Sequence, residues 1–225
     1  MDELYWDWDY TKEILPDLLD ALHITINATL IGSLIALILG LVFALLRRSK
    51  YKIISKSTGF IIEFVRSTPL LVQIYFLYYV FPDYGVDMSP FMTGVIAIAL
   101  HYAAYMSEVY RTGIEGIDNG QWEASIALNL SPYRTYKDVI IPQAIPPVIP
   151  ALGNYIVAMF KETPQLSAIT VLEMMQMAKI LGSENFRYLE PFTIVGLLFL
   201  LISLVAAFCI KKVEKALPKN GIALK

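Results

Sequence analysis

Apolar residues in this chain of 225 residues are gathered into long blocks rather than into alternating or one-sided patterns. A helix needs about 20 mainly apolar residues to cross the hydrocarbon core of a bilayer. Blocks suited to one crossing each cover residues 18–46, 58–81, 91–110, 144–160 and 192–210, and a shorter block covers residues 168–181. The pattern predicts an all-α integral membrane protein with about five transmembrane helices.

The composition supports this prediction and excludes several functions. Hydrophobic residues make up 56% of the chain and charged residues 17%, which is too apolar for an ordinary soluble domain. A chain of this length has no room for a separate catalytic domain beside its crossings. Its one cysteine, Cys209, lies in an apolar run, so no disulfide framework is predicted. The cysteine and histidine spacing predicts no metal site either.

Lysine and arginine residues near the ends of the blocks predict the orientation, because basic residues concentrate on the cytoplasmic side. They follow the first, third and last blocks: Arg47, Arg48, Lys50, Lys52 and Lys56; Arg111, Arg134 and Lys137; Lys211, Lys212, Lys215, Lys219 and Lys225. The opposite side holds only Lys12, Lys179 and Arg187. The N-terminus is therefore predicted outside and the C-terminus inside. We expect an aromatic lead-in at the outer interface (residues 1–17), a membrane domain (18–212) and a cytoplasmic tail (213–225).

The largest predicted cytoplasmic loop, residues 111–143, has the pattern of two short amphipathic helices. Residues 121–128 form the first, and Asn129 ends it, because asparagine enters the left-handed region at low cost. Ser131 is the predicted cap of the second helix, with Pro132 at its first position, and Pro142 is predicted to close it. This hairpin either fits a groove in a soluble partner or lies on the membrane surface, and the residues alone favour neither.

The same loop resembles the cytoplasmic "EAA" signature of permease subunits of ATP-binding-cassette importers. That signature is Glu-Ala-Ala, three residues, Gly, nine residues, then Ile-x-Leu-Pro. This chain has Glu123-Ala124-Ser125, Asn129 and Val139-Ile140-Ile141-Pro142 at that spacing. The departures at positions 125, 129, 139 and 141 are small or conserve shape, and asparagine still permits the turn.

Other segments resemble the polar amino-acid uptake branch of this family. They are Arg66–Gln73, Ala104-Tyr105 with Glu108, Arg111, Gly113-Ile114, Gly120-Gln121 and Lys161–Pro164. Residues 127–134 and 145–154 are most similar to ectoine and hydroxyectoine permeases. The resemblance covers nearly the whole chain.

The resemblance implies a type I importer transmembrane domain in a bacterial cell membrane. It further implies a dimer with an identical or homologous permease, two ATPase subunits and an extracellular solute-binding protein. ATP and magnesium are then expected on the ATPase, because this sequence has no G-x-x-x-x-G-K-[ST] phosphate loop. We expect this chain to contact lipid, to bind neither a cofactor nor nucleic acid, and not to be an enzyme. The expected ATPase-coupling residues are Gly120, Gln121, Glu123, Ala124, Ser125, Asn129 and Pro142.

Two basic residues, Arg66 and Lys161, lie well inside apolar blocks, and each begins a basic-x-Thr-Pro-x-Leu sequence. Charges at such depth usually face a bundle interior or a water-filled cavity. A proline breaks the helical hydrogen bonds, and broken helices line substrate sites in transporters. The predicted substrate path is Arg66, Thr68, Pro69, Gln73, His101, Tyr105, Lys161, Glu162, Thr163 and Gln165.

Structural roles compete with this hypothesis. One alternative is that two charge pairs, Arg66 with Glu63 and Lys161 with Glu162, hold helices together. Another is that His101 is an interhelical histidine with a satisfied hydrogen bond. At the level of the whole protein, the alternatives are a membrane scaffold or receptor that recruits a soluble partner, and a self-sufficient secondary carrier.

Overall fold

The computed structural model describes residues 5–216, and every regular element within that range is helical. The α-helices are α1 (Trp8–Arg47), α2 (Lys52–Arg66), α3 (Leu70–Tyr79), α4 (Pro90–Glu115), α5 (Asn119–Ala127), α6 (Pro132–Arg134), α7 (Ile141–Glu162), α8 (Met174–Glu184) and α9 (Leu189–Ala216). Turns of 3-10 helix cover Phe81–Tyr84 and Thr163–Ile169, and a π-helical turn covers Thr135–Ile140. The predicted all-α class is confirmed. The outermost parts of the predicted lead-in and tail, residues 1–4 and 217–225, lie outside the described range.

Three helical segments of residues 5–216 are long and apolar enough to cross a membrane: α1, the α6–α7 segment through Ile169, and α9. The α2–α3 pair makes a fourth if it is counted as one span bent by 103°. The block at residues 91–110 forms α4, which has 26 residues and is therefore about 39 Å long at 1.5 Å per residue. This length suffices for a crossing, but α4 is more polar than the other spans. A topology of five spans stays a prediction.

The first helix begins ten residues before the apolar block that predicted it. Asp7 caps α1, because its side chain accepts hydrogen bonds from the backbone N–H groups of Asp9 (2.9 Å) and Tyr10 (3.0 Å). The helix then runs through Pro16 without ending. The polar start therefore belongs to the same 40-residue helix as the apolar block.

The second predicted span, residues 58–81, is not one continuous helix. It breaks at Ser67, Thr68 and Pro69, because proline lacks an N–H group and disfavours helical geometry in the residue before it. The helix resumes at Leu70 and ends at Tyr79, two residues before the end of the predicted span.

The short apolar block at residues 168–181 is divided between a 3-10 turn and α8. Thr170 has a φ of 67°, a left-handed conformation that is costly for a β-branched residue, and it ends the 3-10 turn. The buried Glu173 then caps α8 by accepting hydrogen bonds from the N–H groups of Met175 (2.9 Å) and Gln176 (2.8 Å).

Helix α4 lies at the centre of the fold and packs most extensively against α1. The facing stripe of α1 consists of small buried residues: Ala28, Gly32, Ser33, Ala36, Gly40 and Ala44. A Cβ atom on Gly40 would lie 3.1 Å from the carbonyl oxygen of Ala103 and 3.0 Å from the Cβ atom of Met106. Small residues of this kind let two membrane helices approach closely, so α1 and α4 form a tightly packed pair.

Candidate functional site

The bend between α2 and α3 is stabilised by Gln73. Its side-chain amide nitrogen Nε2 lies 2.8 Å from the carbonyl oxygen of Val65, 3.1 Å from that of Thr68 and 2.6 Å from Oγ1 of Thr68. The amide nitrogen thus donates to backbone oxygens that the break leaves without helical partners. Irregular backbone inside a membrane is tolerated only where such groups are satisfied. Its oxygen Oε1 lies 3.2 Å from Nδ1 of His101 on α4 and accepts that bond. Gln73 therefore ties the bend to α4.

Beside this bend, an open cleft of about 530 Å³ lies between the two Thr-Pro segments. It is lined by Arg66, Ser67, Thr68, Pro69, Leu70, Leu71, His101, Tyr105, Glu162 and Gln165. Most of the predicted substrate-path residues are thus brought together from α2, α3, α4 and the end of α7. The predicted residues Gln73, Lys161 and Thr163 are not part of this lining.

A cation and a carboxylate face the same cleft. The guanidinium carbon of Arg66 lies 5.3 Å from the ring centroid of Tyr105, and the Tyr105 hydroxyl donates to the carbonyl oxygen of Arg66 at 3.3 Å. Nε of Arg66 is buried and has no hydrogen-bond partner among residues 5–216. Across the cleft, Glu162 accepts a hydrogen bond of 2.7 Å from Nε2 of Gln165. The cleft can therefore offer charges of both signs to one small solute.

The structural charge pairs that compete with this role are weak. Nη1 of Arg66 lies 3.7 Å from Glu63, whose side chain is 68% exposed, and exposed pairs contribute at most about 1 kcal/mol. Within residues 5–216, Lys161 forms no ion pair with Glu162, and Lys161 is exposed. Thr163 is fully buried and donates to the carbonyl oxygen of Phe160 at 2.8 Å, which gives it a local structural role.

Tyr155 lies next to the cleft and was not predicted from the sequence. Its ring centroid lies 5.8 Å from that of Tyr105 and 5.9 Å from that of Tyr102, and Tyr105 in turn lies 5.2 Å from His101. These rings form an aromatic wall next to the cleft. Tyr155 lies seven residues before Glu162 on α7, and that helical spacing is the signal that places both on one face.

The predicted turn of the cytoplasmic loop is present. Asp118 caps α5 by accepting a hydrogen bond of 2.7 Å from the N–H group of Gly120. At the other end of α5, Asn129 has a φ of 51°. The N–H group of Leu130 donates to the carbonyl oxygen of Ser125 (3.0 Å), and the N–H group of Asn129 donates to the carbonyl oxygen of Ile126 (2.9 Å). This pair of bonds is the Schellman motif, which ends helices with a left-handed residue.

The prediction that Pro142 ends the second helix of the hairpin is wrong. Helix α6 has only three residues, and the π-helical turn leads from it directly into α7, with Pro142 in the first turn of that helix. The second half of the loop is therefore continuous with the fourth predicted span.

The loop exposes an apolar surface beside its polar signature residues. Gly120, Gln121, Glu123, Ala124 and Asn129 are exposed, whereas Ser125 is buried and donates to the carbonyl oxygen of Gln121 at 2.8 Å. The neighbouring Ile126, Leu128 and Tyr133 are each more than 70% exposed. Exposed apolar residues grouped on a polar loop favour contact with another protein or with a membrane surface.

These features define the class of protein: a helical membrane protein with a cleft that contains charged side chains and with an exposed loop at residues 111–143. A sequence model of the family described as "Binding-protein-dependent transport system inner membrane component" matches residues 32–218. This chain belongs to that family. It is an inner membrane protein and a transport component rather than an enzyme.

Relatives and solved structures agree with the family. The chain is 47% identical over 216 residues to the probable amino-acid ABC transporter permease protein y4tG of Sinorhizobium fredii, covering 96% of this chain and 94% of the relative. It is 34% identical to the arginine transport system permease protein ArtQ of Bacillus subtilis, covering 95% and 98%. The crystal structure of an amino acid ABC transporter with histidines matches with a TM-score of 0.87 and 32% identity, covering 95% of this chain and 100% of that chain.

A more distant structure shows the fold alone. The inward-facing MetNI methionine ABC transporter matches with a TM-score of 0.78 at 15% identity, covering 92% of this chain and 99% of that chain. The chain thus has the type I ABC transporter permease fold, as predicted.

Proposed function

We propose that this chain is the membrane-spanning permease subunit of an ATP-driven importer for amino acids and amino-acid-like solutes. The observation that carries the proposal is the cleft between the two Thr-Pro segments, where Arg66 and Glu162 face one small space. Broken helices around a polar cavity are how transporters place substrate groups at membrane depth. The names of the relatives, an amino-acid permease and an arginine permease among them, support this solute class.

The chemistry of the cleft suits a zwitterion. A guanidinium such as that of Arg66 binds a carboxylate with two parallel hydrogen bonds. Glu162 is the partner for a cationic group, and Gln165 orients it. Thr68, Pro69, His101 and Tyr105 supply the remaining lining. Within this class we favour ectoine and hydroxyectoine, because residues 127–134 and 145–154 resemble the permeases for these solutes. Both solutes carry a carboxylate and a delocalised cation.

The partners follow from the same proposal. Two ATPase subunits bind ATP and magnesium and contact the loop at residues 111–143 through Gly120, Gln121, Glu123, Ala124 and Asn129, with Ser125 and Pro142 supporting that surface. A second permease, identical or homologous, completes the path, and an extracellular solute-binding protein delivers the solute. The exposed apolar side chains of Ile126, Leu128 and Tyr133 support a protein contact at the loop.

The test is uptake by the complex reconstituted in liposomes with its ATPase and solute-binding protein. Glu162→Gln removes the carboxylate charge from the cleft, and we expect at least a tenfold rise in the solute concentration that half-saturates uptake, because a desolvated charge pair contributes about 1.5–3 kcal/mol. Glu63→Gln, which removes an exposed carboxylate near the same bend, is the matched control and should leave that concentration unchanged.

Three results would contradict the proposal. An unchanged half-saturating concentration in Glu162→Gln removes the cleft from the path. Solute uptake by the purified chain without ATP or other subunits indicates a secondary carrier. Binding of a soluble partner to the loop with no solute movement under any condition indicates a scaffold or receptor.

A further inference from the structure

Arg48, the residue that caps the C-terminal end of α1, lies against the hairpin of the cytoplasmic loop. Its guanidinium carbon lies 5.6 Å from the ring centroid of Trp122 on α5. Its Nε lies 3.5 Å from the hydroxyl oxygen of Tyr136 in the π-helical turn, and the rings of Trp122 and Tyr136 pack edge to face at 5.4 Å. One side chain from α1 therefore contacts both halves of the hairpin.

The same guanidinium belongs to a chain of ion pairs between α1 and α4. Nη1 of Arg48 lies 3.5 Å from Glu115, which also pairs with Arg111 at 2.5 Å. Arg111 pairs with Glu108 at 2.8 Å, and Glu108 pairs with Arg47 at 2.5 Å. Side chains held by several partners lose less freedom per contact than an isolated surface pair, so this network is more rigid than any one of its bonds.

The network ends one helical turn from the cleft. Glu108 follows Tyr105 by three residues on α4, so both lie on one face of the helix, and the Tyr105 hydroxyl bonds to the carbonyl of Arg66. The close packing of α1 on α4 at Gly40 leaves little room for one helix to slide on the other. A displacement of α5 thus has a continuous path through Arg48 and the α1–α4 pair to the cleft.

We propose that Arg48 is the positioning residue that transmits movement of the hairpin to the α1–α4 pair, with Trp122 as its partner on α5. This inference rests on the proposed function, since it concerns how ATP-driven movement at the loop reaches the cleft. Buried apolar contacts around Ile114, Ile117, Ile140 and Ala144, against which Trp122 of α5 packs, hold the hairpin in place without Arg48. Loss of the guanidinium therefore loosens transmission and leaves the hairpin folded.

The experiment compares solute imported per ATP hydrolysed in liposomes that contain the full complex. Arg48→Gln keeps length and polarity but removes the charge, and we expect the ratio to fall roughly fivefold, or about 1 kcal/mol, while ATP hydrolysis stays within about twofold of wild type. Arg48→Lys keeps the charge over the Trp122 ring and should recover part of the ratio. Lys52→Gln, which changes an exposed basic residue four positions along the chain, should match wild type.

Trp122→Leu removes the partner and gives a second, independent test. It should lower the ratio as Arg48→Gln does, and the double variant should fall by less than the two single falls combined, because the two changes share the Arg48–Trp122 contact. An unchanged ratio in Arg48→Gln or in Trp122→Leu, or an equal fall in Lys52→Gln, would overturn the inference while wild-type transport persists. If the wild-type complex shows no ATP-driven uptake at all, the proposed function itself fails, and this inference fails with it.

Discussion

Replacing Gln73 by leucine tests whether the bend between α2 and α3 depends on this one side chain. The amide of Gln73 donates to the carbonyls of Val65 and Thr68 and accepts from His101. At a net contribution of about 1 kcal/mol per hydrogen bond, loss of these three bonds should destabilise the protein by about 3 kcal/mol. Leucine has nearly the same volume as glutamine, so the loss of hydrogen bonds dominates the effect.

The measurement is thermal unfolding of the purified protein in detergent, followed by uptake in liposomes. We expect Gln73→Leu to lower the melting temperature clearly and to reduce uptake without changing which solute is preferred. Gln165→Leu is the matched control: it removes an amide that lines the cleft and bonds Glu162, so it should affect solute affinity more than stability. A melting temperature for Gln73→Leu equal to that of wild type would refute this structural role.

Two further predictions concern the loop and the segment before α8. Asn129→Val should destabilise the loop by about 1–2 kcal/mol, because a β-branched residue is strained at a φ of 51°, whereas Asn129→Gly should be tolerated. The measurement is the amount of ATPase subunit that co-purifies with each variant. Equal recovery with both variants would contradict the prediction. Burial raises the pKa of Glu173 from 4.5 to about 7, so the native state keeps a proton that the unfolded chain releases above pH 4.5. This contribution to stability is fully present below pH 4.5 and is lost as the pH rises through 7. The melting temperature should therefore fall between pH 4.5 and 7 more in wild type than in Glu173→Gln. Identical pH profiles of the two proteins would disprove the raised pKa of Glu173.

Local features of the structure followed well from the sequence. The break at Thr68-Pro69 is present, and at Thr163-Pro164 the α-helix changes into a 3-10 turn, because proline acts on its own backbone and on the residue before it. The left-handed Asn129 is present for a similar local reason. Two continuous helices were not predicted from the sequence. One is α1, which already begins at Trp8, and the other is the helical segment that runs through Pro142. Both depend on whether neighbouring elements stabilise a helix across a residue that usually ends one.

Taken by itself, the sequence determined the all-α membrane class, the broken helix at Thr68-Pro69, the turn of the loop at Asn129 and the resemblance to importer permeases. Each depends on apolar block length, proline chemistry or short spacing, which act over a few residues. Only the tertiary structure decided that Arg66 and Glu162 share one cleft, that Gln73 stabilises the bend, and that Arg48 contacts Trp122. Those pairings join residues that are distant along the chain or lie on different helices. Their geometry depends on how the helices cross and pack, which residue spacing alone does not specify.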